Sequence, residues 1–161
     1  MKNLNKQKGF TLIELVVVIV ILGILAVTAA PKFIDISGDA RESVMESVKG
    51  SIESAVSMVH AKAIIQNKLG QDDEIVINNE YYALVYGYPS AKGKGTPAGT
   101  TGNGWGIVQL IDASAEIIKK DEDPAIFQHS EATKVEECQL SYAKAANKDT
   151  RPFITETFTD C

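Results

Sequence analysis

The sequence predicts an α+β fold: one long, bent amino-terminal helix, its first half transmembrane, packed on a globular head built around a small antiparallel sheet. Three observations carry that prediction. Phe10 to Ala30 is almost wholly apolar. From Val44 to Ala63, apolar residues recur every three or four positions between charged ones, the period of an amphipathic helix. After Gly70 the pattern changes to short β-branched and aromatic runs separated by Asn, Gly and Pro.

The apolar run comes first. At about 1.5 Å per residue it is ~31 Å long, the thickness of a bilayer's hydrocarbon core. Lys2, Lys6 and Lys8 precede it, whereas Lys32, Asp35 and Asp39 follow with no basic excess. The positive-inside rule then holds the amino terminus in the cytoplasm and sends everything after Pro31 outside. Ala26-Val27-Thr28-Ala29-Ala30 has the small residues of a signal-peptide cleavage site, but a signal peptide's core would not be expected to carry Glu14. An ionised carboxylate inside such a run costs a few kcal/mol unless a partner meets it.

The residues around Glu14 supply a reason for it. Lys8-Gly9-Phe10-Thr11-Leu12-Ile13-Glu14 combines a basic leader, a Gly, an aromatic, a carboxylate at a fixed offset and a span, and resembles the cleavage and methylation signal of type IV prepilins and type II secretion pseudopilins. The resemblance implies a leader at 1–9, cut between Gly9 and Phe10 by a prepilin peptidase, with N-methylation of Phe10. It also implies that 10–30 is first a membrane anchor and then part of a filament core. Glu14 would pair with the amino group of Phe10 in a neighbouring subunit. Pairing a buried carboxylate with a buried ammonium relieves two unfavourable charges and fixes the axial register between subunits.

The remaining elements, 31–161, follow in order. Pro31 removes one helical hydrogen bond and predicts a kink, not a stop; with Gly23 it brackets a stretch that could loosen during assembly. Asp39-Ala40-Arg41-Glu42 resembles a capping box, which predicts a local break at Ser37-Gly38. The helix should reach about Gln66, with Gly70 in its cap region. Its stripe of Val44, Val48, Ile52, Ala55, Val56, Val59 and Ala63 lacks a regular heptad, so it should face the head's own sheet. Glu74–Ile77 and Tyr81–Tyr86 read as a hairpin through Asn78-Asn79-Glu80, with Gly87-Tyr88-Pro89 stopping the second strand. Lys92 to Gly104 is a long loop, and Gly93-Lys94 followed by Gly95 fails the P-loop pattern. Trp105 to Ile111 suits a short helix or buried strand, with the tryptophan in the core. Asp121-Glu122-Asp123-Pro124 lacks the spaced ligands of a calcium loop and reads as a solvated turn. Val135–Tyr142 and Phe153–Thr159 are the last two strands.

Length and composition bound the function. The span leaves about 100 to 130 residues, enough for one small domain. The net charge of −5 becomes more negative once the leader lysines are removed, which argues against nucleic acid as a partner. Cys138 and Cys161, in a head delivered outside the cytoplasm, read as a disulfide that closes a loop of just over twenty residues and contributes ~3 kcal/mol. His60 in the amphipathic helix and His129 in a polar turn or edge strand have no companions at triad or metal spacing. No catalytic residue, metal or cofactor is expected, and the chain is not read as an enzyme.

A second resemblance lies in the head. Gly87-Tyr88-Pro89-Ser90-Ala91 after an aromatic strand, and Cys138-Gln139-Leu140-Ser141-Tyr142 with Cys161, are similar to the head of the mannose-sensitive haemagglutinin (MSHA) type of type IV pilin. What this implies is a major pilin, single-pass in the inner membrane and then polymerised with its own copies by inner-membrane assembly machinery into an extracellular pilus. Its role would be surface adhesion and biofilm attachment, with a surface glycan as candidate receptor. The alternative is a type II secretion pseudopilin, which shares the leader. A third reading, a membrane-anchored binding protein that never polymerises, would not need Glu14.

Overall fold

The computed structural model describes residues 10–94 and 104–161, with residues 30–35 given by their backbone alone. The leader 1–9 and most of the loop expected at 92–104 lie outside the described residues. The chain forms two compact units, Met1–Ser37 and Gly38–Cys161.

Helix α1 runs from Leu12 to Ile65, 54 residues in all. It does not stop at Pro31. Nor does it break at Ser37-Gly38, contrary to the expectation from sequence: Asp39 to Glu42 continue the helix instead of capping a second one. A Gly within a helix costs only about 1 kcal/mol, whereas starting a new helix requires another costly nucleus. The carboxyl-terminal cap is Asn67, not Gly70. Asn67 adopts φ 54°, its N–H donates to the Ile64 carbonyl (3.1 Å), and the Lys68 N–H donates to the Ala63 carbonyl (2.8 Å), which is a Schellman motif. Gly70 serves the next turn, its N–H donating to Asp73 Oδ2 (2.7 Å).

The first sheet has three antiparallel strands in the order β1 (Asp73–Ile77), β2 (Glu80–Val85) and β3 (Tyr88–Pro89). Asn78 and Asn79, at φ 51° and 66°, make the two-residue turn of the expected hairpin, and Glu80 already belongs to β2. The second strand stops at Val85, just ahead of Gly87-Tyr88-Pro89, but the chain does not leave the sheet there. The chain reverses at Tyr86-Gly87, φ 54° and 80°, and Tyr88-Pro89 pairs back onto Val85 and Leu84. Gly87 lies at φ 80°, a conformation that side chains rarely adopt, and a Cβ there would also press on the Leu69 side chain, so glycine suits this tight reversal. Trp105 pairs with the stretch of β2 that the two-residue β3 does not cover, exchanging backbone hydrogen bonds with Tyr81 and Ala83 (2.8 and 3.0 Å) before the short helix α2 (Ile107–Leu110).

The second sheet has four antiparallel strands in chain order: β4 (Ile117–Lys120), β5 (Ala125–His129), β6 (Cys138–Ala143) and β7 (Phe153–Phe158). The acidic Asp121–Pro124 stretch is the β4–β5 turn. Asp121 is only partly exposed, because its Oδ1 accepts the Gly93 N–H (2.8 Å). His129 ends an interior strand and is 3% exposed, which corrects its placement in a polar turn or edge strand.

Within the head, one face of α1 packs into the core. Met45, Val48, Ile52 and Val56 pack with Ile107, Phe127, Leu140 and Tyr142. Val59 and Ala63 pack with Ile75, Tyr82 and Leu84. Trp105 sits at the margin of that second cluster, partly buried, with its indole N–H donating to Glu80 Oε2 (2.8 Å). The expectation of a core tryptophan is corrected because its polar edge is held at the surface carboxylate.

Candidate assembly site

Helix α1 begins beneath its own cap. The Thr11 N–H and hydroxyl both donate to Glu14 Oε2 (2.8 and 2.6 Å), and the Glu14 N–H donates to Thr11 Oγ1 (3.4 Å). This is a capping box, and it satisfies amides that have no partner within the helix. Sequence reasoning missed Thr11, although Thr-x-x-Glu ahead of an apolar run is a recognisable signal. The box also fixes the carboxylate. One oxygen is taken by Thr11, while Oε1 accepts no hydrogen bond among the described residues.

Phe10 lies one turn away and is 91% exposed. Phe10, Ile13, Glu14, Val17 and Val18 line one shallow groove, as their spacing on a helix requires. Two of the predicted site residues, Phe10 and Glu14, therefore share a face; Gly9 lies outside the described residues. From Leu12 to Ala29 the mean hydropathy is 3.0, no residue is buried within the chain, and the helix is long and apolar enough to cross a membrane. Glu14 is the lone charged residue of that stretch. The Thr28 hydroxyl returns to the Leu25 carbonyl (3.0 Å), so it adds no open donor. Pro31 lies within α1.

In the head, Cys138 and Cys161 form a disulfide inside the larger core cluster. Cys138 starts β6 opposite Phe158 at the end of β7, so the bridge captures the chain just after its last strand. Nearby on β7, Glu156 accepts from Lys49 of α1 (2.8 Å), and that hydrogen bond holds the lysine pKa above its ordinary value. His60 donates from Nδ1 to the Gly87 carbonyl (3.1 Å) and stacks on Tyr88 with ring centroids 3.9 Å apart. His129 Nδ1 accepts the Glu131 N–H (3.2 Å). Both imidazoles thus hold turns in place. Among the described residues, no three His, Cys, Asp or Glu side chains are grouped to hold a metal ion.

Residues 4–30 match the prokaryotic N-terminal methylation motif family. The chain is 43% identical over 61 residues to a type IV narrow pilus major component of Thermus thermophilus, covering 37% of this chain and 53% of that one. It is 38% identical over 72 residues to the type IV major fimbrial protein of Dichelobacter nodosus, 45% of this chain and 42% of that one. The chain thus spans about half the length, or less, of these two relatives. A fimbrial protein of Pseudomonas aeruginosa is 32% identical over 112 residues, which is 67% of this chain and 68% of that one. No solved structure matches the chain. An alignment of 112 residues extends beyond α1 into the head, so the similarity is not confined to the processing motif: the chain belongs to the type IV pilins.

Proposed function

We propose that the chain is a major pilin, the repeating subunit of a type IV pilus. The observation that carries this reading is the start of α1. The apolar stretch Leu12–Ala29 is not buried within the chain, and its one carboxylate, Glu14, is held by Thr11 with a second oxygen open to a donor from elsewhere. Such a surface is stable only in lipid or against other helices. The carboxylate needs a cation once water is excluded.

In this reading prepilin peptidase removes 1–9 between Gly9 and Phe10, and the methylated amine of Phe10 becomes the donor to Glu14 of a neighbouring subunit. Residues 10–30 anchor the subunit in the inner membrane with the amino terminus cytoplasmic, while 31–161 stand outside. Assembly machinery then lifts the subunit into a homopolymer, with the stretch between Gly23 and Pro31 loosening as helices exchange lipid for one another. The Thermus relative, a major pilus component, and the Dichelobacter relative, a major fimbrial protein, support the major-subunit role. The residues at 87–91 and 138–142 support an MSHA-type pilus serving surface adhesion and biofilm attachment, with a surface glycan as receptor.

Electron microscopy of filaments sheared from cells, with intact mass of the subunit, tests the reading. Filaments built of a chain that starts at N-methylated Phe10 are expected. Glu14→Ala should leave processed subunit in the membrane and no filaments. A processed wild-type subunit without long filaments would move the assignment to a secretion pseudopilin, and an uncut chain starting at Met1 would overturn it.

A further inference from the structure

The three residues after β7 meet the helix. Thr159 and Asp160 both direct their N–H groups to the Glu137 carbonyl (3.0 and 3.4 Å), and Cys161 is bonded to Cys138 and only 8% exposed. The Arg41 side chain donates from Nε to the Cys161 carbonyl. One turn earlier, a side chain at Gly38 would stand in van der Waals contact, 3.9 Å, with the same carbonyl carbon. One turn later, Met45 is fully buried in the cluster that contains both cysteines. Gly38, Arg41 and Met45 lie at i, i+3 and i+7, hence on one face of α1.

We propose that the disulfide and Arg41 together form a redox-dependent clamp on the first turns of the head's helix, Gly38 to Met45. In the oxidised chain, Cys138 holds Cys161 where its carbonyl meets Arg41. A dithiol reductant breaks the S–S bond, delivers one electron and one proton to each sulfur, and leaves as its own disulfide. Residues 159–161 then depend for their place beside α1 on the hydrogen bonds to the Glu137 carbonyl and the contact with Arg41, without the bond to Cys138. The β6–β7 ladder extends over six residue pairs from Cys138–Phe158 to Ala143–Phe153 and does not depend on the bridge. Release should therefore be local: the tail leaves Arg41, and the helix turns at Gly38–Met45 lose their cover. This holds whether or not the chain polymerises, and goes beyond the pilin reading.

Hydrogen exchange of the full chain in detergent micelles tests it, comparing the oxidised protein, the protein reduced with dithiothreitol, and the Cys138→Ser/Cys161→Ser variant. Exchange at residues 39–45 should speed up about tenfold on reduction and in the double variant, while β1–β2 stays protected. Arg41→Ala, with its disulfide verified by intact mass, should speed the same helix segment without touching β6–β7, and Arg41→Lys, which keeps a donor, should restore much of the protection. Unchanged exchange at 39–45 after reduction would overturn the clamp. So would a uniform loss across 38–161, which would make the bridge a general staple, or an oxidised Arg41→Ala protein that exchanges like the wild type.

Discussion

The two parts of α1 use apolar residues in opposite ways. Before Gly38, Ile13, Val17, Ile21, Ile24 and the aliphatic residues between them point in every direction, and each is exposed. After it, most apolar side chains are gathered on one stripe, Met58, Ile64 and Ile65 excepted, and Met45, Ile52 and Ala63 are completely buried while Ser47, Ser51 and Ser54 face outward. Local propensity does not explain the difference, since Val16 to Ile19 is a β-branched run that forms helices poorly in water. The later part owes its helix to the sheets it packs on. The earlier part needs an apolar surround that the described chain does not itself supply.

This contrast can be broken by substitution. Phe127→Ala, in the core beneath the later part of α1, should cost about 3–5 kcal/mol of head stability in a denaturant titration of the full chain in detergent. Ile19→Ala should leave that titration where it was, although it removes an equally apolar side chain. A comparable loss at Ile19 would mean that the two parts share one cooperative unit. The bridge should act more locally: because the β6–β7 ladder does not need it, Cys138→Ser with Cys161→Ser should lower the titration by well under the ~3 kcal/mol chain-entropy value for a loop of this length, again with no effect on the exposed part.

A smaller effect concerns Tyr142. Its hydroxyl donates to the Pro89 carbonyl (2.7 Å), so Tyr142→Phe leaves a buried acceptor unmet and should cost about 1 kcal/mol at neutral pH. Burial holds this phenol well above its ordinary value of 10.0. Because the folded pKa is raised, its contribution is complete below pH 10 and declines as pH rises beyond it. The wild type should therefore lose stability in thermal melts above pH 10, and the phenylalanine variant should lose less. Tyr82 is raised by burial in the same direction and accounts for a remainder. The smallest change is Lys49→Gln: the pair with Glu156 is largely solvent-exposed, so the melting temperature at neutral pH should not move measurably.

Features set by local pattern were the legible ones. The apolar run gave α1 its start, and the three-to-four spacing identified the stripe that packs in the head, missing only Met45. Asn78-Asn79 announced its turn because both residues tolerate positive φ. Strands β4 and β5 went unread, because Ile117–Lys120 and Ala125–His129 are short and show no alternation. Tyr86-Gly87 was equally opaque, since its reversal depends on Leu69 and His60 arriving from another part of the chain. At the candidate site, the interest of Glu14 was visible from its charge, but Thr11 was overlooked although the spacing that reveals it is local. The contact of Arg41 with Cys161 spans 120 positions and has no local signature.

The outer strands of the two sheets have a bearing on how such a chain can associate. Every sheet border is a row of unpaired amides and carbonyls that invites another strand. Here β3 is only two residues long, β4 carries Lys119 and Lys120, β7 is crossed by the Lys49–Glu156 pair, and on β1 the Lys62 ammonium donates to the Val76 carbonyl. Each border is short or guarded by a cation. Copies crowded together are thereby steered away from joining sheet to sheet in the manner of amyloid, and the apolar helix is left as the part of the molecule free to bring them together.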